Sequence, residues 1–193
     1  MQKYLKTLVL CGLLVSTAAT GRSQETKGFR GDLIGQIEYV QKQILDLENS
    51  IPDAKMSWRP NDEVRSVSEV YAHIAYDNYA ISKFAGLIPP EGIAMGSPDD
   101  AQKWEKATTD KKVVHDELAK SFEFVKNGIK SMPDANLEKT VEFFGNKMSA
   151  RSVLLVLLSH VHEHLGQSIA YARMVGVVPP WTAARMAAEK AKK

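Results

Sequence analysis

The segment SHVHEHLGQ, residues 159–167, places three of the chain's five histidines in one apolar, helix-forming stretch. On an α-helix, residues four apart differ by about 40° around the axis and about 6 Å along it. His160 and His164 therefore share one face and lie close enough to bind a single ion, whereas His162 points to the far side. This spacing predicts a long central helix that carries two ligands of a metal site.

A third ligand has to come from elsewhere, because a zinc-like ion takes three protein ligands in catalytic sites and four in structural ones. The histidines outside residues 159–167 are His73 and His115. His73 lies beside the apolar stripe of a predicted helix, whereas His115 precedes two acidic residues and is expected at the surface. We therefore predict that His73, His160 and His164 bind the metal. The alternative is a metal-free bundle in which these histidines pack against one another.

The first twenty residues have the order of a secretory signal peptide. Lys3 and Lys6 precede an apolar stretch from Leu8 to Val15, and small residues follow it. This stretch is too short to span a bilayer comfortably as a permanent anchor. We predict that residues 1–20 are a signal peptide cleaved near Ala18 to Gly21, and that the protein is secreted or periplasmic. No stable membrane insertion is expected after cleavage; an uncleaved anchor is the alternative.

Charge and cysteine content narrow the function classes further. The chain has 25 basic and 23 acidic residues, and cleavage would remove two lysines and no acidic residue, so the mature chain would be neutral. Because it lacks a basic excess, nucleic-acid binding has no electrostatic basis. Cys11, the single cysteine, would also be removed, which excludes disulfides and thiolate ligands from the mature protein.

Helical periodicity dominates the remainder of the sequence. Capping residues and glycine or proline stops predict four long helices: Asp32 to about Ser50, Ser66 or Ser68 to about Gly86 with Glu69 completing a capping box, Asp99 or Thr109 to Ser131, and Ala150 to Val175 capped by Ser149. Residues 137–148 are compatible with a short extended segment. The fold class is therefore expected to be all-α, a four-helix bundle with short irregular connectors. One domain spans residues 21–193, with a core of about 30–182.

Several motifs together resemble the DinB family, and they cover nearly the whole mature chain. They are Trp58-Arg59-Pro60, the segment Glu69–Ile74 with His73, the segment His160–Gln167, and the closing Gly176–Trp181. The resemblance implies a DinB-like four-helix bundle and a metal held by three histidines, which fall on His73, His160 and His164. Leu165 and Glu163 depart from the family pattern, which usually has Arg and often has His there. Neither is a ligand position.

The resemblance also implies thiol-dependent transferase or isomerase activity, and it allows a homodimer. Three histidines leave an open position on a zinc- or nickel-type ion, which can lower the pKa of a ligand bound there. Since export separates the protein from cytosolic thiols, metal-dependent hydrolysis of an unknown small-molecule substrate is the favoured reaction, with thiol transfer as the other. Glu69 and Asp77, each four residues from His73, are candidate bases. They could instead orient the imidazole or simply be solvated.

A non-catalytic metal-binding or structural module is the competing interpretation. The two differ in what lies over the open coordination position. A polar, water-accessible cavity there would favour chemistry, whereas complete coverage by Trp58, Tyr71, Tyr76 or Tyr171 would argue against it.

Overall fold

The computed structural model describes residues 27–95 and 97–192 of the chain. The predicted signal peptide, residues 1–20, lies outside this part. Within the described residues, the elements in chain order are α1 (Gly28–Ser50), a 3₁₀ turn (Asp53–Lys55), α2 (Val67–Phe84), α3 (Pro98–Glu105), α4 (Lys111–Ser131), α5 (Asp134–Leu137), β1 (Thr140–Phe143), β2 (Asn146–Ser149), α6 (Ala150–Met174) and α7 (Pro180–Lys190).

Four long helices, α1, α2, α4 and α6, form the bundle. Both α1 and α2 pack against both α4 and α6, so the order around the bundle is α1, α4, α2, α6. The predicted four-helix bundle is confirmed, and α2 and α6, which carry the histidines, are neighbours. Among the described residues, no helix is both long enough and apolar enough to span a membrane.

The bundle core comes from apolar residues repeating at three- and four-residue steps, as the periodicity predicted. Fully buried side chains from all four helices meet there, and Met56 of the first connector joins them: Ile44, Leu47, Met56, Tyr71, Ile74, Leu118, Phe122, Ile129, Leu154 and Leu157. Trp58 packs at the edge of this core. The connector before α2 is therefore held against the bundle.

The predicted N-terminus of α2 is confirmed at atomic level. The Ser66 hydroxyl accepts a hydrogen bond from the Glu69 amide, and the Glu69 carboxylate accepts one from the Ser66 amide at 2.9 Å. Ser149 caps α6 in the predicted way by accepting from the amide of Ser152. These caps fix where α2 and α6 begin, and hence the axial positions of the histidines they carry.

Of the two starts predicted for the third long helix, the one near Thr109 is confirmed, because α4 begins at Lys111 behind the Asp110 cap and ends at Ser131. The start at Asp99 is wrong, because the chain leaves helical conformation after Glu105. The separate helix α3 packs on α2. The break matters for the site, since it lets Glu105 approach α2.

A two-stranded antiparallel hairpin, β1 and β2, occupies residues 140–149 of the region expected to be extended. Phe144 and Gly145 form its turn with φ of 48° and 78°. Positive φ at both turn residues is typical of a tight hairpin turn, and it is costly for a bulky side chain such as Phe. The hairpin places Phe144 next to Phe84 of α2, with ring centroids 5.3 Å apart.

Candidate metal centre

Three imidazole rings meet between α2 and α6, the pair of neighbouring helices that carries them. The Nε2 atom of His160 lies 3.1 Å from Nε2 of His73 and 3.1 Å from Nε2 of His164. The ring centroids lie 4.5–5.0 Å apart. The structure thus brings together the three residues that the sequence nominated.

The spacing of these nitrogens suits a shared metal ion. Zn–N bonds of about 2.0–2.1 Å at tetrahedral angles separate ligand nitrogens by about 3.3 Å. The three histidines can each offer a ligand atom within 4.8 Å of the others, and they form the one such group of His, Cys, Asp and Glu among the described residues. The donor set therefore fits a divalent cation, and imidazole alone does not fix which one.

Outer hydrogen bonds hold two of the rings with their Nε2 lone pairs turned inward. Nδ1 of His73 lies 2.8 Å from Oε1 of Glu105, and an ionised carboxylate can only accept, so Nδ1 carries the proton. Nδ1 of His164 lies 2.8 Å from Oε1 of Gln167 and donates to it in the same way. Both rings therefore have the tautomer that a metal needs.

His160 is held differently. Its Nδ1 atom is buried without a hydrogen-bond partner among the described residues, whereas its Nε2 atom lies 3.0 Å from Oδ2 of Asp77. The same carboxylate oxygen is 3.5 Å from Nε2 of His73. Asp77 thus lies on the side of the cluster where the Nε2 atoms converge, although it does not join the group of three possible ligands.

Glu105 holds the His73 ring in place by a hydrogen bond, and Arg65 in turn holds the Glu105 carboxylate. The Arg65 guanidinium donates to both carboxylate oxygens, at 2.7 and 3.0 Å. Burial alone would raise the pKa of the Glu105 carboxyl, but the hydrogen bonds from His73 and Arg65 and the charge of Arg65 outweigh it and lower that pKa to about 2. A permanently ionised Glu105 makes Nε2 of His73 a better electron-pair donor.

His164 is prepared for metal binding by burial. Burial lowers its pKa to about 4, with further lowering by the charges of His160 and His73, although the hydrogen bond to Gln167 opposes the shift. The ring is therefore neutral at physiological pH. Gln167 is fixed in turn by donating to the Tyr171 hydroxyl at 3.2 Å, and the Tyr171 ring packs edge-on against Trp58.

The structure separates the two carboxylates proposed as bases. Asp77 contacts the histidine cluster, as described above. The Glu69 carboxylate instead accepts from the Ser66 amide in the capping box and forms an ion pair with Arg59 at 2.8 Å. Among the described residues, Glu69 makes no hydrogen bond or ion pair with the histidines. The i, i+4 spacing from His73 put both acids on one helix face, but the cap turned Glu69 toward the N-terminus of α2.

The other histidines lie outside the cluster. His162 is exposed, as is Glu163, in keeping with their predicted direction on α6. His115 is not a free surface residue, which corrects the expectation: its Nδ1 atom lies 2.6 Å from Oε2 of the fully buried Glu48. No local sequence pattern indicates that pair, because Glu48 lies 67 residues away on α1.

Two cavities border residues that contact the histidines, and Pro98 and Ala101 line both of them. The Arg65 cavity, of about 620 Å³, is bordered by Glu105 and Gln167, which accept from the Nδ1 atoms of His73 and His164, and by Arg65, which binds Glu105. The α2–hairpin cavity, of about 560 Å³, is bordered by two charged residues, Asp77 and Lys83, together with Tyr76, Ala80, Phe84, Met95 and Phe144. Because Asp77 lies against the Nε2 atoms, the second cavity adjoins the side on which an ion would have its open position.

The four aromatic side chains considered as possible covers do not jointly cover the Asp77 side of the histidine cluster. Tyr71 is buried in the core, and Trp58 and Tyr171 pack against each other beside Gln167. Tyr76 lines the α2–hairpin cavity and donates to the carbonyl of Ala94 at 3.3 Å. Of the four, only Tyr76 borders the cavity next to Asp77.

Sequence reasoning missed Glu105, Arg65 and the role of Gln167. Gln167 could have been found, because it follows His164 by three residues and so shares its helix face. Glu105 and Arg65 had no such local signal. Glu105, at the end of α3, contacts His73 from 32 positions away in sequence. Arg65 lies in the connector before α2, 8 positions from His73, and contacts Glu105.

Comparison with known proteins agrees with this architecture. The family model of the DinB superfamily matches residues 36–168, which include all three histidines. No functionally curated protein is similar enough to this chain to be matched.

Several solved structures share the fold. A DinB-like protein from Bacillus cereus is 20% identical with a TM-score of 0.65, over 77% of this chain and 93% of that one. YfiT from Bacillus subtilis, described as a probable metal-dependent hydrolase with an unusual four-helix bundle topology, is 15% identical with a TM-score of 0.62, over 80% and 93%. A mycothiol-dependent maleylpyruvate isomerase is 12% identical with a TM-score of 0.60, over 70% and 59%. At these identities the likeness establishes the fold.

Proposed function

This chain belongs to the DinB superfamily, and we propose that it is an exported metal-dependent hydrolase acting on a small-molecule substrate. Its metal is one divalent ion of the zinc or nickel type, held by His73, His160 and His164. The predicted signal peptide, residues 1–20, supports export. The description of YfiT as a probable metal-dependent hydrolase supports the reaction class.

One observation carries the proposal: three Nε2 atoms converge beside the carboxylate of Asp77, next to a cavity that can admit a substrate. A structural zinc site would supply a fourth protein ligand and close the ion off. Here the three histidines have beside them Asp77, which is not one of the three possible ligands, and the cavity that Asp77 lines. This arrangement favours chemistry over a purely structural role.

When bound, the ion would lower the pKa of a water in its open position and polarise a substrate carbonyl. The protein's own groups do the remaining work. Asp77 lies where it can accept a hydrogen bond from the attacking water and take its proton. Glu105 and Gln167 hold the rings of His73 and His164 in position, and Arg65 keeps the Glu105 carboxylate in place.

Thiol transfer uses the same open position and remains the second candidate reaction. It is favoured by the fold shared with a mycothiol-dependent isomerase. Export is the argument against it, because the low-molecular-weight thiols of that chemistry are cytosolic. A screen of both reactions on one preparation decides between them.

The test begins with protein exported through its own leader and purified from the extracytoplasmic fraction. N-terminal sequencing is expected to find a start close to residues 18–21, and elemental analysis about one divalent ion per chain. The preparation is then screened against esters, amides and phosphoesters, and against a thiol-transfer panel. One bound ion with no turnover in either panel would favour the non-catalytic module. Retention of the full N-terminus in the cytoplasm would refute export.

Asp77→Asn then tests the proposed base. It is expected to lower kcat about a hundredfold or more, the usual contribution of general base catalysis, while metal content stays near one equivalent. Glu163→Gln is the matched control, because this acid is adjacent to His164 in sequence but exposed. Equal loss of activity in both variants would refute the role of Asp77.

A further inference from the structure

The α2–hairpin cavity has a mostly apolar lining and one end at the candidate metal centre. Asp77, Ala80 and Phe84 follow one another along one face of α2, and Lys83, Met95 and Phe144 also line the cavity. Seven helical residues from Asp77 to Phe84 span about 10 Å. The cavity, of about 560 Å³, therefore extends away from the histidines along α2. Its volume lies within the range of roughly 300–1,000 Å³ typical of small-molecule sites.

The residues that border the two cavities differ, and this difference indicates which cavity would take the substrate. The Arg65 cavity is bordered by Glu105 and Gln167, which already engage the Nδ1 atoms of His73 and His164. It is also bordered by charged residues of both signs. Arg65 is paired with Glu105 and Arg59 with Glu69, whereas Asp62, Glu63 and Lys106 belong to neither pair. The α2–hairpin cavity adjoins the Nε2 side through Asp77. When the substrate bond to be cleaved lies at the open coordination position, the substrate atoms next to it therefore lie in the α2–hairpin cavity.

Phe144 is an unusual residue for the position it holds. It is 75% exposed at the hairpin tip and has a φ of 48°, a conformation that is costly for a bulky side chain. Neither burial nor backbone preference explains an aromatic residue there. Its ring packs with Phe84 and Phe143, at centroid distances of 5.3 and 4.6 Å, and lines the cavity mouth. An apolar ligand in the cavity would cover this ring.

We propose that the α2–hairpin cavity binds the apolar acyl chain of the substrate, and that Phe144 covers the chain at the hairpin end. The substrate class is then an ester or amide of a medium-length, uncharged aliphatic acid, with its carbonyl at Asp77 and the three histidines. This inference rests on the proposed function and adds the substrate class to it. Water cleaves the acyl bond, so the products are the aliphatic acid and an alcohol or amine.

The binding test uses the aliphatic acids themselves, titrated by calorimetry into the metal-loaded protein in the series acetate, butanoate, hexanoate and octanoate. Each added methylene that enters the cavity is expected to lower Kd about fourfold. In protein with isotope-labelled methionine methyl groups, the Met95 resonance is expected to move with octanoate, while that of Met186, which is on α7, stays in place. A Kd independent of chain length, or no movement of Met95, would overturn the proposal.

Two variants locate the chain. Ala80→Leu is expected to fill the cavity and bring the octanoate Kd close to that of acetate, with metal content unchanged. Phe144→Ala is expected to weaken octanoate binding several-fold and to leave acetate binding unaffected. The variant is expected to fold, because Phe144 is an exposed turn residue. Ile88→Ala is the control, since Ile88 is 89% exposed and does not line the cavity. Full chain-length dependence in both Ala80→Leu and Phe144→Ala would contradict the proposal.

A last arm distinguishes failure of this inference from failure of the proposed function. The same measurements are made with the uncharged alcohols from ethanol to octanol on metal-stripped protein. If alcohol binding depends on chain length and Ala80→Leu removes that dependence, the cavity proposal is supported even if the purified protein holds no metal. Metal at one equivalent with chain-length dependence absent in both series would refute the cavity and leave the metal proposal standing.

Discussion

The three-histidine cluster and the Glu48–His115 pair are both built from imidazole and carboxylate groups inside the same bundle, yet they differ in what they can do. In the cluster, three Nε2 atoms face one another and a cavity adjoins them through Asp77. In the pair, one ring meets one fully buried carboxylate at 2.6 Å, and the second carboxylate oxygen, Oε1, is buried without a partner in the part of the chain that the structure describes. Burial raises the pKa of Glu48, although the hydrogen bond from His115 opposes it.

The difference indicates how a ligand site can be distinguished from a structural ion pair. Ionisable groups occur in both, and burial perturbs a pKa in both. The cluster alone combines several inward lone pairs, outer hydrogen bonds that fix the tautomers, and access from solvent. The Glu48–His115 pair joins α1 to α4 by one hydrogen bond. Four measurements test this contrast.

The largest expected effect is loss of the metal. His160→Ala or His73→Ala is expected to lower bound metal from about one equivalent to well below that value, because two imidazoles remain. His162→Ala and His115→Ala are expected to stay near wild type. Elemental analysis of the four purified variants makes the comparison, and equal loss in all four would refute the ligand assignment.

Removing His115 tests the structural side of the contrast. His115→Ala leaves the Glu48 carboxyl buried without its partner and is expected to lower the free energy of unfolding by about 3 kcal/mol, with metal content unchanged. Replacing both residues by leucine is expected to recover most of the loss, since an apolar pair needs no hydrogen bonds. Urea unfolding of the three proteins measures it. A His115→Ala protein as stable as wild type would mean that the pair contributes nothing.

Glu105→Gln tests the outer hydrogen bonds. The amide can still accept from His73, but it loses the charge that strengthens the imidazole as a donor, so metal affinity is expected to fall about 10- to 100-fold. Glu69→Gln is the matched control, because a capping box accepts glutamine at this position and Glu69 does not contact the cluster. Competition with a chelator of known affinity gives both values. Equal weakening in the two variants would argue against the Glu105–His73 contact.

The smallest expected effect is a pH dependence of stability in metal-free protein. The pKa of His164 is about 4 in the folded chain and about 6.5 when unfolded, so the unfolded chain binds more protons between these values. Stability is therefore expected to decrease as pH falls from 6.5 to 4. The lowered pKa of Glu105 extends the decrease below pH 4.5. Urea unfolding in chelator is the measurement.

A substitution assigns this slope to its residue. His164→Gln is expected to flatten the dependence between pH 6.5 and 4, whereas His162→Gln, on the exposed face of α6, is expected to retain it. A slope that is unchanged in His164→Gln would show that other groups are responsible.

Local sequence was sufficient for the four long helices and for the nomination of the ligands. The three- and four-residue spacing of apolar positions determines which face of each helix is buried, and the Ser66 and Ser149 caps determine where α2 and α6 start. His160 and His164 must share a face at any tertiary arrangement, because the helix itself fixes their separation. These features depend on contacts within four residues, and so they can be predicted from neighbouring letters.

Only the tertiary structure decided which groups complete the site. The break after Glu105 lets α3 pack on α2 and brings this carboxylate to His73, while the capping box takes Glu69 away from it. Asp77 and Glu69 are equivalent by spacing, and packing made them different. The α2–hairpin cavity likewise exists because the hairpin places Phe144 over α2. Contacts between distant segments depend on how whole helices pack, and no local sequence pattern encodes that arrangement.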